Sequence, residues 1–170
     1  MRRSLLRPVR PLRSLAVAGL LMLGLAGSAL AAHPIYRAER EGPALRGYDT
    51  VAYFTEGRAV LGSEEHEVVW RDTLWRFASA AHKALFEKDP EKYAPQFGGY
   101  CAYAASRNRL YEGHPEIFAI EDGKLYFNNN AKVMERWLAE PEPYIEAAKE
   151  AFPAMISGEL ETPAAPQSRP

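Results

Sequence analysis

Apolar residues along this chain recur with two periods, and each period predicts a kind of element. Two short apolar runs, Glu67-Val-Val-Trp-Arg71 and Leu74-Trp-Arg-Phe-Ala78, flank Asp72-Thr73 and predict a β-hairpin. A second pair, Glu116-Ile-Phe-Ala-Ile-Glu121 and Lys124-Leu-Tyr-Phe-Asn128, flanks Asp122-Gly123. Asp-Gly suits a type I′ turn, so this is the clearest hairpin signal in the sequence. Tyr48 to Phe54, aromatic and β-branched after Gly47, reads as a strand or extended segment.

The helical period appears between and after the hairpins. Ser79 is placed as an N-cap, and Ala78, Ala81, His82, Leu85 and Phe86 follow at i, i+3, i+4, i+7 and i+8. That spacing predicts one inward stripe carrying His82, with Lys83, Glu87 and Lys88 facing solvent. Asp89-Pro90 predicts a new helical turn with proline at its first position, from which Tyr93 and Phe97 pack. Gly98-Gly99 breaks the chain, and Tyr100 to Ala104 reads as a strand or buried extended segment before a polar loop over 105–115. One of Asn128, Asn129 and Asn130 caps a helix whose stripe is Val133, Met134, Trp137 and Leu138. Pro141 or Pro143 opens a last helix with Tyr144, Ile145, Ala148 and Phe152 inward. The sum is an α+β fold, a small antiparallel sheet of β-hairpins packed with three or four helices.

The N-terminus departs from both periods. Arg2, Arg3, Arg7, Arg10 and Arg13 precede an apolar run from Leu15 to Leu25 and then the small residues Ala29-Leu30-Ala31-Ala32. Basic, apolar and small segments in that order describe a secretory signal peptide, cut after Ala31 or Ala32. The run falls short of the roughly 20 apolar residues a membrane span needs. Arg2-Arg3 also hints at a twin-arginine route. The expected organisation is a signal peptide over 1–32, a polar lead-in over 33–45, one folded domain over 46–155 and a proline-rich mobile tail over 156–170. Removing the signal takes away five of the 21 basic residues and none of the 22 acids, leaving a net charge of −6. Such a balance offers nucleic acid and anionic lipid no attraction, and no stable membrane insertion is expected after cleavage.

A single cysteine, Cys101, cannot form an intramolecular disulfide in an exported chain. It is a buried apolar thiol, a partner for another chain, or a reactive or metal-binding group. His82 is a ligand or proton shuttle on an inward stripe, or a core histidine bonded to a carbonyl or a tyrosine. Together they would support a metal site or an imidazole-activated thiolate. Asp49 caps a turn or binds a metal, and Tyr53 lies beside it in the same segment. His66 and His114 read as surface residues. His33 becomes nearly N-terminal after cleavage, where amine and ring could bind copper. The aromatics, 19 of 170 residues and including Trp70, Trp75 and Trp137, fall mostly at core spacing and read as packing.

Several of these segments resemble one family in order. Gly47-Tyr-Asp-Thr-Val-Ala-Tyr-Phe54, Trp75-Arg-Phe77-Ala-Ser79-Ala-Ala-His82-Lys-Ala-Leu85-Phe86 and Asp89-Pro-Glu-Lys-Tyr93 look like the YHS domain. Phe97-Gly-Gly-Tyr-Cys-Ala-Tyr103 and the Asn128–Asn130 segment resemble its longer exported members. The likeness covers roughly residues 45–153. It implies a treble-clef-like core and, by analogy with heavy-metal transporters that carry the domain, a metal ion such as copper or zinc. The small metal-associated version holds cysteines where this chain has Ala52, Ala78 and His82, so that soft-metal site cannot form at these residues alone. The function expected is non-enzymatic binding of copper, zinc or a small ligand, with His82, Cys101, Asp49 and Tyr53 as site residues. A thiol-dependent redox enzyme using Cys101 and His82, or a partner-binding module without chemistry, are the alternatives.

Overall fold

A computed structural model describes residues 32–39 and 41–158. The expected signal segment up to residue 31, and residues 159–170 of the expected tail, lie outside them. The described chain is α+β, with two two-stranded antiparallel sheets and six helices. The sequence pattern predicts one sheet and three or four helices. The additional helices are short ones in segments whose composition reads as extended.

The first hairpin joins β1 (Ser63–Trp70) to β2 (Thr73–Phe77). Its turn is one residue earlier than the spacing predicts, because Arg71 and Asp72 take the positive φ values, 50° and 54°, of a type I′ turn. Along β2, Thr73, Trp75 and Phe77 are buried while Leu74 and Arg76 are half-buried, the alternation of a strand with one face on the core. The second hairpin, β3 (Phe118–Glu121) with β4 (Lys124–Phe127), turns at Asp122-Gly123 as expected.

Tyr48 to Phe54 is not a strand. Helix α1 (Thr50–Thr55) begins there, because the Asp49 side chain accepts from the amides of Val51 and Ala52 and so starts a helical turn. Val51, Ala52 and Tyr53 are at most 1% exposed, so the apolar content that resembles a strand is that of a short helix buried nearly all round. Tyr100 to Ala104 is corrected in the same way. Only Tyr100 and Cys101 are extended, bridged to Glu112 and Phe127, and helix α4 (Ala102–Ala105) follows at once.

The remaining helices start where their caps predict. Ser79 caps α2 (Ala80–Lys88), Asp89 caps α3 (Pro90–Tyr93), and Asn130 caps α5 (Ala131–Ala139). Helix α6 (Pro141–Ser157) ends at Gly158 in the left-handed region. The predicted inward stripe of α2 reduces to Phe86, since Ala78, Ala81 and Leu85 are exposed and His82 is half-buried. Helix α2 (nine residues) packs through the Phe86 ring on Trp70, Trp75 and Phe77 and is held to α1 by the His82–Asp49 hydrogen bond.

Two cores meet at β4. Leu125 and Phe127 point into one, with Val51, Tyr53, Trp75, Phe77 and Phe86. Tyr126 points into the other, with Ala102, Met134, Trp137 and Ile145. A strand covered on both faces must be apolar at successive positions, as Leu125-Tyr126-Phe127 is. The lead-in belongs to this unit too. Ile35 is 4% exposed in the first core, and the Tyr36 amide donates to the Gly98 carbonyl at 2.8 Å. Gly98 has φ +60°, and a Cβ there would lie 1.9 Å from the Pro34 carbonyl oxygen, so only glycine admits this approach.

Candidate functional site

Asp49 sits between α1 and α2 with no exposed surface. Its Oδ1 accepts from Val51 N at 2.9 Å and Ala52 N at 3.3 Å. Its Oδ2 accepts from Ala78 N at 2.8 Å and from His82 Nδ1 at 2.6 Å. The buried charge is met by three amides and an imidazole, the degree of satisfaction a buried carboxylate requires. The other ring nitrogen of His82, Nε2, lies 3.3 Å from Thr55 Oγ1 at the surface.

Carboxylate, imidazole and hydroxyl thus stand in the order of a hydrolase triad. The surroundings of Thr55 do not serve that chemistry. Its hydroxyl donates to the Val51 carbonyl at 3.1 Å, and it is the last residue of α1, an end that presents carbonyl oxygens. An oxyanion needs amide donors at such a place. The cluster acts instead as a clamp joining the start of α1, the end of β2 and the first turn of α2.

Tyr53 turns away from this clamp. Its hydroxyl donates to the Pro115 carbonyl at 3.0 Å, and its ring packs edge-on against Phe118 and Phe127. Burial pushes the phenol well above its usual range, with nearby acids adding to the effect. Tyr53 is a core tyrosine with a satisfied hydroxyl.

Cys101 is 1% exposed and has partners of its own. Its backbone N–H donates to the Tyr111 carbonyl at 2.9 Å, and its thiol donates to Asn128 Oδ1 at 3.4 Å. The same Asn128 oxygen accepts from Tyr103 N at 3.0 Å, while Asn128 Nδ2 donates to Met134 Sδ at 3.5 Å. Asn128, fully buried, is therefore the residue that fixes Cys101 at the start of α4. Burial raises the thiol pKa and outweighs the amides of Ala104, Asn129 and Tyr103, which act to lower it.

His82 and Cys101, expected as a pair, share no hydrogen-bond partner. Among the described residues no group of three or more His, Cys, Asp and Glu side chains could hold a metal ion. A closed zinc or copper site takes three or four such donors, so the donor set does not fit the metal implied by the resemblance. Of the other histidines, His33 bonds to the Ile35 backbone and His114 accepts from Glu116 N. The asparagine run divides its work: Asn128 is the buried hub, Asn129 donates to the Glu112 carbonyl and Asn130 caps α5.

A cleft of about 340 Å³ opens over Cys101. Tyr103, Ala104, Tyr111, Asn129 and Val133 form its walls, and Arg107 and Arg109 stand in its lining. The Arg107 guanidinium lies over the Tyr103 ring at 5.3 Å, and Arg109 donates to the Tyr111 hydroxyl at 3.4 Å. The arginines fall in the stretch that reads as a polar loop. The available signal was two arginines two residues apart, with no acid between Cys101 and Tyr111. A larger cleft of about 600 Å³ lies between the β3–β4 turn and the start of α6, lined by Glu121, Asp122, Glu140, Glu142 and Glu146 with two lysines. It contains none of the candidate site residues read from the sequence, and its five carboxylates outnumber its two lysines, Lys124 and Lys149. The Cys101 cleft is smaller but has the better chemistry: a mainly apolar wall, a fixed thiol and two cations.

No family model, no curated protein and no solved structure matches this chain. No helix of the described residues is long and apolar enough to cross a membrane.

Proposed function

We propose that this chain is an exported YHS-type binding module that holds a small organic molecule in the cleft over Cys101 and does not transform it. The cleft itself carries the reading. Its volume of about 340 Å³ lies in the range of small-molecule sites, roughly 300–1,000 Å³. It is walled by side chains whose positions are fixed from behind by Asn128 and by α5.

The chemistry of the two titratable candidates supports binding over catalysis. A catalytic thiol is activated by a lowered pKa or an adjacent base. Cys101 has a raised pKa and an amide oxygen as its partner. His82 is engaged by Asp49 and Thr55. The ordered motif residues support the family assignment, and the basic, apolar and small segments at the N-terminus support export.

The test is a fragment library screened by thermal shift against the mature protein and Val133→Trp, which fills the cleft from its wall. Stabilising fragments should lose their effect in the variant. Fragments that stabilise both proteins equally would place binding elsewhere. Peroxide or disulfide turnover that depends on Cys101 would restore the redox alternative.

A further inference from the structure

We propose that the molecule held in the Cys101 cleft is an organic carboxylate with a flat apolar body, bound through Arg107 and Arg109. This rests on the reading of the cleft as a binding site and adds the class of ligand.

Among the described residues, Arg46, Arg58, Arg71 and Arg76 each pair with a glutamate, while Arg37, Arg136, Arg107 and Arg109 pair with no carboxylate. Of these four, Arg107 and Arg109 are the two that line the cleft. Each lies against a tyrosine instead, Arg107 over the Tyr103 ring and Arg109 on the Tyr111 hydroxyl. In a mature chain of net charge −6, two neighbouring cations left without acids in one cleft are a local reversal of the molecular field. The cleft lining includes no Asp or Glu that would compete with an anion.

Lying over the Tyr103 ring orients the Arg107 guanidinium and leaves its N–H edge free, and Arg109 keeps further N–H groups besides the one it gives the Tyr111 hydroxyl. That edge is the fork that matches the two oxygens of a carboxylate. Apart from Asn129 and Asn130, the rest of the lining is apolar or aromatic: Cys101, Ala104, Val133 and the two tyrosine rings that the arginines lie against. Cys101 is neutral, since burial raises its pKa, so the floor of the cleft does not repel an anion. A ligand that satisfies both halves has a charged head at the arginines and a planar apolar body over the thiol.

The two halves can be tested separately with benzoate and benzamide, which share a shape and differ in charge. Calorimetric titration of the mature protein should give a dissociation constant for benzoate at least about tenfold tighter than for benzamide, the difference expected of a charge-assisted hydrogen bond. The double substitution Arg107→Gln, Arg109→Gln should remove that preference and leave the unfolding temperature unchanged, since both side chains are exposed. Raising the salt concentration should weaken benzoate and leave benzamide unaffected. Equal binding of both probes would overturn the carboxylate assignment and leave the cleft a binding site. Binding of benzoate that survives the double substitution would place the anion elsewhere. Binding of neither probe would overturn both the assignment and the reading beneath it.

Discussion

The side chain of Asp49, wholly buried, is hydrogen-bonded through Oδ2 to Nδ1 of half-buried His82 at 2.6 Å, and through this bond α2 is tied to the start of α1. The three backbone amides on the same carboxylate make Asp49 the point where three elements are joined. Asp49→Ala leaves Ala78 N–H, the first amides of α1 and the imidazole without their acceptor. The expected loss is about 3–5 kcal/mol, in line with removal of one partner from a buried charged network. His82→Ala leaves the carboxylate with its amides and should cost less, about 1–3 kcal/mol. Asp49→Asn keeps one oxygen but turns an NH₂ toward two donors. The ring can change tautomer to accept, whereas Ala78 N–H cannot, so the cost should fall between the other two. Urea denaturation of the three variants gives the order directly.

The thiol of Cys101 should behave as a weak nucleophile. Burial favours its neutral form, so its folded pKa exceeds the ordinary cysteine value of about 8.5. The rate of alkylation by iodoacetamide should then rise with pH along a curve displaced above that of a free thiol. The folded state holds this proton more tightly than the unfolded state. Stability from this group is therefore complete below about pH 8.5 and declines as pH rises through the folded pKa. Cys101→Ala should remove that alkaline decline. An alkylation curve centred below that of a free thiol would return Cys101 to the class of reactive cysteines.

Glu112 titrates in the opposite sense. The Tyr36 hydroxyl donates to its Oε2 at 2.7 Å, and the Arg46 guanidinium shares the same oxygen. The Tyr36 hydrogen bond and then the Arg46 charge hold this carboxyl below its usual range against the effect of burial. Its contribution is present above the unfolded value of about 4.3 and is lost as pH falls through the lower folded value. Both charged side chains are well exposed, so the effect is modest and screened by salt. Glu112→Gln should be less stable than the parent at pH 7, and the difference in unfolding temperature should shrink as pH falls toward 3.

Gly113 packs where no side chain fits. A Cβ there would lie 2.4 Å from the Gly99 carbonyl oxygen and 2.5 Å from Phe127 Cβ. The segment before it runs beside Cys101, with Tyr111 accepting from the Cys101 amide. Gly113→Ala must push that segment off β4. The expected cost is about 1–3 kcal/mol, seen as a lower unfolding temperature, and ligand affinity at the cleft should fall with it.

Local chemistry was legible in the sequence wherever a single residue decides it. Ser79, Asp89 with Pro90, and Asn130 mark helix starts because a side-chain oxygen must meet the first amides. Asp122-Gly123 marks a turn because both residues tolerate positive φ. What composition could not resolve was whether a short apolar run is buried as a strand or as a helix. Val51, Ala52 and Tyr53 are enclosed on every side, and full burial erases the periodicity that separates the two. The inward placement of His82 was legible only in part. The imidazole faces Asp49, 33 residues away in the chain, and of the neighbours expected to accompany it inward only Phe86 is buried. The site was harder still. Cys101 was conspicuous as the single thiol, but its partner Asn128 and its neighbours Arg107, Arg109 and Val133 come together only through the docking of α4 and α5 against β4.

The most direct test of the account is an amide-resolved NMR titration of the mature protein with benzoate. Binding over Cys101 predicts shifts confined to residues 101–111 and 128–133, with the amide of Ala78 and those of α1 unmoved. Shifts centred on Asp49 and His82, or on the acidic cleft at the start of α6, would contradict it.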